Sequence, residues 1–577
     1  MRIVVVDKDR CRPEKCGQEC FKFCPIVKSG KPDIIRIGEK AVIDESMCIG
    51  CGICARVCPF HAISVVNLPE AAGEPVHRYG PNRFALFGLP IPGESVGILG
   101  PNGTGKTTVL RIYSGQLVPN LSGDNREWGP VVERYSGTEI GGYLQKLADG
   151  KLRVSYKPQN ITALSRLYKG KVGELLEKVD ERGKLADILD SLSLQGLLNR
   201  SLGELSGGEL QRVAIAATLA KKADIYFFDE PGSFLDIYER LRVSRAIKEF
   251  APRVFVVEHD LVMLDYLADT IHITYGQPGV YGAVSMRKGV RVGINEFLDG
   301  YLRAENLRIR QEPLKFTQAR TESMAAGELV AFSDMEVELG SFRLSVAAGW
   351  IGGQEIVGVV GRNALGKTTF VKLLAGVIKP KKGELSKELR VSYKPQYVEP
   401  RDARVGELFE SVDPPEGMNL NRDIFAPLDL TYLLDRNARE LSGGELQRVA
   451  VGLALAQDAD LYLLDEPSAF LDSEQRLRLA KLVKRLMQNS GKSAIVVEHD
   501  LMFVDYLSDR MMVFVGEPGV HGEVLGPMEV TKGMNLFLES VGITLRRDPQ
   551  SKRPRVNKQG SRKDREQKAR GEWYAGE

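Results

Sequence analysis

A duplication constrains this chain more than any other feature. GPNGTGKTT at 100–108 recurs as GRNALGKTT at 361–369, VSYKPQ at 154–159 recurs at 391–396, and LSGGELQRVA at 205–214 recurs at 441–450. FFDEP at 227–231 matches LLDEP at 463–467, VVEHDL at 256–261 matches VVEHDL at 496–501, and GQPGVYG at 276–282 matches GEPGVHG at 516–522. The blocks keep one order in both halves, and Ser206 to Glu230 spans 24 positions, as does Ser442 to Glu466. The largest difference in spacing is from the lysine of the first block to the glutamine of the second, 53 positions against 29. The excess falls within 119–150, where a short amphipathic helix is expected over 140–147.

Each copy alternates short apolar runs with helical periodicity, as α/β domains do. With 577 residues the chain exceeds one hydrophobic core. Five segments are expected: 1–68, a first cassette at 69–302, a charged hinge or linker at 303–326, a second cassette at 327–541 and a basic hinge or tail at 542–577. Apolar runs such as 225–228 and 254–257 are four residues long, far short of the ~20 that a membrane helix needs. The N-terminus lacks the apolar stretch of a signal peptide. A cytoplasmic location, with no membrane part, is expected.

Gly-x-x-x-x-Gly-Lys-Thr between a strand and a helix is a P-loop, whose backbone N–H groups cradle phosphates at a helix N-terminus. Gly100, Asn102, Gly103, Gly105, Lys106, Thr107 and Thr108 form the first, and Gly361, Asn363, Gly366, Lys367, Thr368 and Thr369 the second. Lysine serves the β- and γ-phosphates, and Thr107 and Thr368 serve Mg²⁺. Arg362 and Ala364 stand where proline and glycine are common, and Ala364 restricts the loop if positive φ is required there. Phe84 and Phe342 precede the P-loops as candidates for adenine stacking, a role that competes with plain core packing.

All eight cysteines lie between Cys11 and Cys58, with none in the 519 residues that follow. That concentration, in a chain without a secretion signal, points to metal ligation rather than disulfides. Cys48-x-x-Cys51-x-x-Cys54-x-x-x-Cys58-Pro59 has the bacterial-ferredoxin spacing, and Cys11, Cys16, Cys20 and Cys24-Pro25 form a looser second run. In two-cluster ferredoxins the last cysteine of each run serves the other cluster, which groups Cys48, Cys51, Cys54 and Cys24, and separately Cys11, Cys16, Cys20 and Cys58. Zinc is the structural alternative. His61 reads as a surface residue.

The net charge of +3 is uneven: residues 546–570 carry eleven Lys/Arg against three Asp/Glu. A polyanionic partner and a merely solvated tail both fit that composition.

Leu-Ser-Gly-Gly-Glu at 205–209 and 441–445 is similar to the signature of the ABC ATPase superfamily. That resemblance implies two composite ATP sites, each clamped between the P-loop of one cassette and the signature of the other. Lys106, Thr107, Gln159, Asp229, Glu230 and His259 would act with Ser442 and Gly444, and Lys367, Thr368, Gln396, Asp465, Glu466 and His499 with Ser206 and Gly208. It further implies that Asp229 and Asp465, with Gln159 and Gln396, support Mg²⁺, that Glu230 and Glu466 polarise the attacking water, and that His259 and His499 sense the γ-phosphate.

An eight-cysteine head followed by two linked cassettes, with GITLRRDP through DREQKARG at 542–571, resembles subfamily E of the ABC proteins, the RNase L inhibitor family. The resemblance implies tandem ABC-type P-loop cassettes of α/β fold behind a ferredoxin-like domain with two [4Fe–4S] clusters. It implies an ATPase that uses Mg²⁺ and splits ribosomes into subunits after termination or rescue, with cassette closure moving the iron–sulfur domain. Implied partners are the small ribosomal subunit and its RNA, and a release factor or Pelota-like rescue factor. The chain would be a monomer with an intramolecular cassette pair, and a helix–loop–helix within 119–150 would meet ribosomal RNA. An ATP-gated electron carrier and a soluble transporter subunit are the rival readings.

Overall fold

The computed structural model of the chain describes residues 2–67, 73–123, 126–314 and 327–575. They fall into two compact units. One comprises Met1–Ser233, Val243–His259 and Leu267–Pro313, and the other Phe234–Arg242, Asp260–Tyr266 and Leu314–Glu577. Most of the expected hinge, 315–326, and the expected boundary at 68/69 lie outside the described residues.

In the first unit, Arg2–Val6 pairs antiparallel with Ile63–Asn67. Ile3 and Val5 pack with Ala85, Phe87 and Val280 of the adjoining cassette, while Val4 and Val6 pack among the cysteines. Successive strand side chains face opposite ways, so a strand buried on both faces reads as an unbroken apolar run. The junction is tied by Asn82, whose amide donates to the Val4 and Ile43 carbonyls at 3.0 and 2.8 Å and accepts from the Ile43 N–H at 2.7 Å.

The first cassette is built on a nine-stranded sheet. Its parallel part runs Val154–Lys157, Ile225–Asp229, Val254–Val257, Ser95–Leu99, Thr270–Gln277. The second cassette, in the other unit, repeats this order as Val391–Lys394, Leu461–Asp465, Ser493–Val497, Ile356–Gly361, Arg510–Glu517 within eight strands. Their central strands are buried along their whole length, which is why they read as continuous Val/Ile/Leu/Phe runs. In-register pairing brings the carboxyl ends to one edge, where open parallel sheets bind ligands.

The extra stretch of the first cassette holds two helices. Glu139–Ala148 covers the expected one, capped by Thr138 accepting from the Gly141 N–H at 3.1 Å. Trp128–Arg134 was not anticipated from periodicity, because Gly129 and Pro130 blur its apolar face. Val131, Tyr143 and Leu144 anchor the pair in the cassette core. Gly141 is obligatory, since a Cβ there would sit 2.1 Å from the Tyr135 carbonyl oxygen.

The C-terminal segment folds into a small sheet of Leu545–Arg547, Pro554–Val556 and Tyr574–Ala575 with the helix Arg562–Arg570.

Candidate functional site

Each P-loop joins a buried strand to a helix that starts at its lysine, Lys106–Tyr113 and Lys367–Leu374. The preceding glycines, Gly105 and Gly366, have φ of 91° and 90°, and a Cβ on either would lie 2.9 Å from the ring of Phe84 or Phe342. Those two phenylalanines are half-buried supports under the loops. A third aromatic, Tyr79, escaped sequence reasoning. It is 41% exposed, its hydroxyl lies 3.0 Å from Thr108 Oγ1, and its ring meets His77 edge-on at 4.8 Å.

Lys106 Nζ donates to the Gly100 and Pro101 carbonyls at 2.9 and 2.8 Å and to Asn102 Oδ1 at 3.4 Å. Lys367 repeats this with Gly361, Arg362 and Asn363 at 2.8, 2.7 and 3.5 Å. Burial brings the Lys367 pKa down to about 8. Ala364 holds φ +61°, the left-handed geometry that Gly103 adopts at +74° in the first loop.

The other predicted residues converge at the same strand ends. Asp229 and Asp465 close buried strands, and burial raises the pKa of each against the Thr107 and Thr368 hydroxyls. Thr368 Oγ1 donates to Asp465 Oδ2 at 2.7 Å. Among the described residues Asp229 Oδ1 is buried without a hydrogen-bond partner, an acceptor suited to a hard cation beside Thr107.

Gln159 Nε2 donates to Glu230 Oε1 at 2.7 Å, and Gln396 Nε2 to Glu466 Oε1 at 2.6 Å. His259 Nε2 lies 3.5 Å from Glu230 Oε1, and His499 Nε2 lies 3.2 Å from Glu466 Oε1. Burial alone would raise both glutamate pKa values. The adjacent histidine and P-loop lysine overcome it and hold each at about 2, so both are carboxylates at neutral pH.

The aspartates of Glu-His-Asp are caps: Asp260 accepts from the Val262 and Met263 N–H groups, and Asp500 from those of Met502 and Phe503. Glu258 accepts from the His259 and Gly232 N–H groups, holding the histidine strand to the turn after Glu230.

Ser206 and Ser442 are N-caps of 14-residue helices, Gly207–Ala220 and Gly443–Ala456, each in a capping box with Glu209 or Glu445. Gly208 and Gly444 occupy the first turns, where N–H groups and the positive helix end suit an anion. A Cβ on Gly444 would come 3.1 Å from the Phe470 carbonyl oxygen.

The cysteines separate into two quartets. Cys11, Cys16, Cys20 and Cys58 line one small cavity with Pro13, Ile37 and Ile63. Cys24, Cys48, Cys51 and Cys54 line another with Ile26, Ile34 and Ile43. One cavity thus takes Cys58 from the second run, and the other takes Cys24 from the first. Backbone N–H groups of Ala41, Gln18, Gly50 and Ala62 donate to the sulfurs of Cys11, Cys16, Cys48 and Cys58 at 3.4 Å. Burial pushes the Cys20 thiol up to about 11 and the Cys54 thiol up to about 12, so thiolates there require adjacent positive charge. Cysteine-lined apolar cavities with N–H···S bonds fit iron–sulfur clusters.

The ABC transporter family matches residues 91–233 and 348–469. A possible Fer4-like domain in RNase L inhibitor matches 1–32, and a 4Fe–4S binding domain matches 41–64. An uncharacterized ABC transporter ATP-binding protein of Methanocaldococcus jannaschii is 51% identical, over 100% of this chain and 97% of its own. ABC transporter E family member 1 of Arabidopsis thaliana is 43% identical, over 99% and 98%.

Among solved structures, one named RNase-L Inhibitor is 50% identical with a TM-score of 0.84, over 87% of this chain and 100% of its own. Another, described as a model of ribosome-bound archaeal Pelota and ABCE1, is 51% identical with a TM-score of 0.93, over 100% and 99%. Among the described residues no helix is long and apolar enough to cross a membrane. With an iron–sulfur head and two ABC ATPase cassettes matched along its length, the chain belongs to subfamily E of the ABC proteins, the RNase L inhibitor family.

Proposed function

We propose that the chain is an ATP-driven, cytoplasmic ribosome recycling factor that splits ribosomes into subunits after termination or rescue. The observation that carries this reading is the whole-length similarity, at a TM-score of 0.93, to a structure described as ribosome-bound with Pelota. A further similar structure, 51% identical with a TM-score of 0.84 over 87% of this chain and 99% of its own, is described as a recycling factor in complex with a ribosomal stalk protein. Its partners are then the small subunit and its RNA, with a release factor or Pelota-like factor.

The site geometry supports the roles within each cassette. Lys106 and Lys367 take the β- and γ-phosphates. Thr107, Gln159 and Asp229, with Thr368, Gln396 and Asp465, support Mg²⁺, which neutralises phosphate charge when bound. Glu230 and Glu466 orient and polarise water, and His259 and His499 reach the same carboxylate and report the γ-phosphate. Ser206 and Gly208, and Ser442 and Gly444, complete the site of the opposite cassette, so each ATP is clamped as the cassettes close. Tyr79 is the better adenine partner in the first site, since Phe84 supports the loop from below.

Two [4Fe–4S] clusters, one per cysteine quartet, make the head a rigid body that closure can move. Differential affinity of ATP for the closed state drives that movement, and hydrolysis resets it.

The test is light scattering of ribosomes with the rescue partner and ATP. Glu230→Gln with Glu466→Gln should cut hydrolysis about 10²–10⁴-fold. One round of splitting should remain, followed by trapping on the small subunit. Splitting by a chain lacking 1–68 at the full rate would overturn the lever role of the head.

A further inference from the structure

Glu230 and Glu466 hold φ of +49° and +47°, left-handed values that side-chain-bearing residues adopt at a cost. Something must keep them there. In both cassettes the strand beside the Asp-Glu-Pro turn ends in lysine, Lys157 or Lys394, each only 1% exposed. Lys157 Nζ donates to the Asp229 and Glu230 carbonyls at 2.8 and 3.2 Å, and Lys394 Nζ to those of Asp465 and Glu466 at 2.8 and 3.1 Å.

The neighbouring residue explains why the bonds come from a side chain. Pro158 and Pro395 follow the lysines and have no N–H to extend the ladder, which would leave buried carbonyls without a donor. A second donor meets the turn from the signature helix. Gln211 Nε2 reaches the Glu230 and Pro231 carbonyls at 2.8 and 2.9 Å, and Gln447 Nε2 reaches those of Glu466 and Pro467 at 2.8 and 3.0 Å.

We propose that Lys157 and Lys394 are positioning residues for hydrolysis, their ammonium groups locking the left-handed backbone that aims the Glu230 and Glu466 carboxylates. The inference rests on those glutamates being the water-orienting groups. A buried ammonium is unfavourable unless its hydrogen bonds are satisfied. Such a group in the same place in two cassettes is accounted for by the charge-assisted bonds that it makes there. Without it the turn relaxes toward negative φ and the carboxylate moves off line. The ATP-binding groups, on the P-loop and the signature helix, stay where they are.

The experiment uses the full chain with both lysines changed, Lys157→Met and Lys394→Met, and measures ATP turnover, affinity for a fluorescent ATP analogue, and thermal midpoint. Turnover should fall about 10²-fold, the loss typical of a catalytic group displaced by ~1 Å, with analogue affinity unchanged. Turnover at the unaltered rate overturns the proposal. So does a loss of turnover matched by an equal loss of affinity, which marks a general structural role.

If the methionine variant does not fold, Gln211→Met with Gln447→Met removes the other donor to the same carbonyl and should give the same turnover-selective loss. Parallel measurement of Glu230→Gln with Glu466→Gln separates the two levels. Hydrolysis persisting there refutes the glutamate assignment itself, whatever the lysine variants show.

Discussion

The Arg553 guanidinium is fully buried and lies 3.2 Å from the Asp265 carboxylate. Arg555 adds a two-pronged pair to the same aspartate, at 2.7 and 3.0 Å. Asp505, at the matching place of the repeat, takes Arg547 at 2.8 Å and the Tyr574 hydroxyl. All of these contacts lie within the second unit. Part of the tail's basic charge is therefore used internally, where composition had offered only a polyanionic partner or solvent.

Asp265→Asn should consequently destabilise the second unit by about 3–5 kcal/mol, because it leaves buried guanidinium charge uncompensated. Urea denaturation, read with proteolysis of the C-terminal segment, measures this. A surface-sized change, within about 0.5 kcal/mol, would show that the pair carries no weight.

Ala364 occupies left-handed backbone that costs an L-residue about 1–2 kcal/mol. Ala364→Gly should raise the stability of the second cassette by about 0.5 kcal/mol, after the greater freedom of unfolded glycine is deducted. Gly103→Ala should destabilise by more, since its Cβ would also sit 3.0 Å from the Gly279 nitrogen. Thermal melting of the two variants checks the opposite signs.

His272 is buried with both ring nitrogens engaged, Nε2 accepting from the Ile91 N–H at 3.1 Å and Nδ1 donating to the Ser285 carbonyl at 2.7 Å. Burial lowers its pKa from the ordinary 6.5, and burial lowers that of His77 likewise. The unfolded chain therefore binds more protons below about 6.5, so stability is full above that pH and is lost as pH falls toward the folded values. Denaturation midpoints of the first unit should drop on acidification. His272→Gln should flatten the profile, leaving the share due to His77.

Cys24→Ser should remove the iron held by the run beginning at Cys48, although Cys24 belongs to the other run in sequence. If the head holds the two proposed clusters, about half of their roughly eight iron atoms should be lost, with the cluster served by Cys58 retained. Iron analysis and Mössbauer spectroscopy of anaerobic protein decide it, and loss confined to the Cys11 run would refute the crossed grouping.

Much of the site was legible because phosphate chemistry is tied to short contiguous motifs. A P-loop, a strand-terminal Asp-Glu and a capped Ser-Gly-Gly are each set by local backbone needs, and the duplication repeats them in register. An unbroken apolar run likewise made Ile225–Phe228 readable as a buried strand.

Roles that depend on meeting residues far apart in the chain were not legible. Arg553 and Asp265 are 288 positions apart, so charge counting could not pair them. Lys157 carried no signal of its own within VSYKPQ, and the sheet alone sets its ammonium against the Asp229 and Glu230 carbonyls. The sequence determines which chemistry each cassette can hold, because those groups act through their own turns. Tertiary structure alone decides which carbonyls, carboxylates and rings lie within hydrogen-bond reach, because that depends on how strands pair and stack.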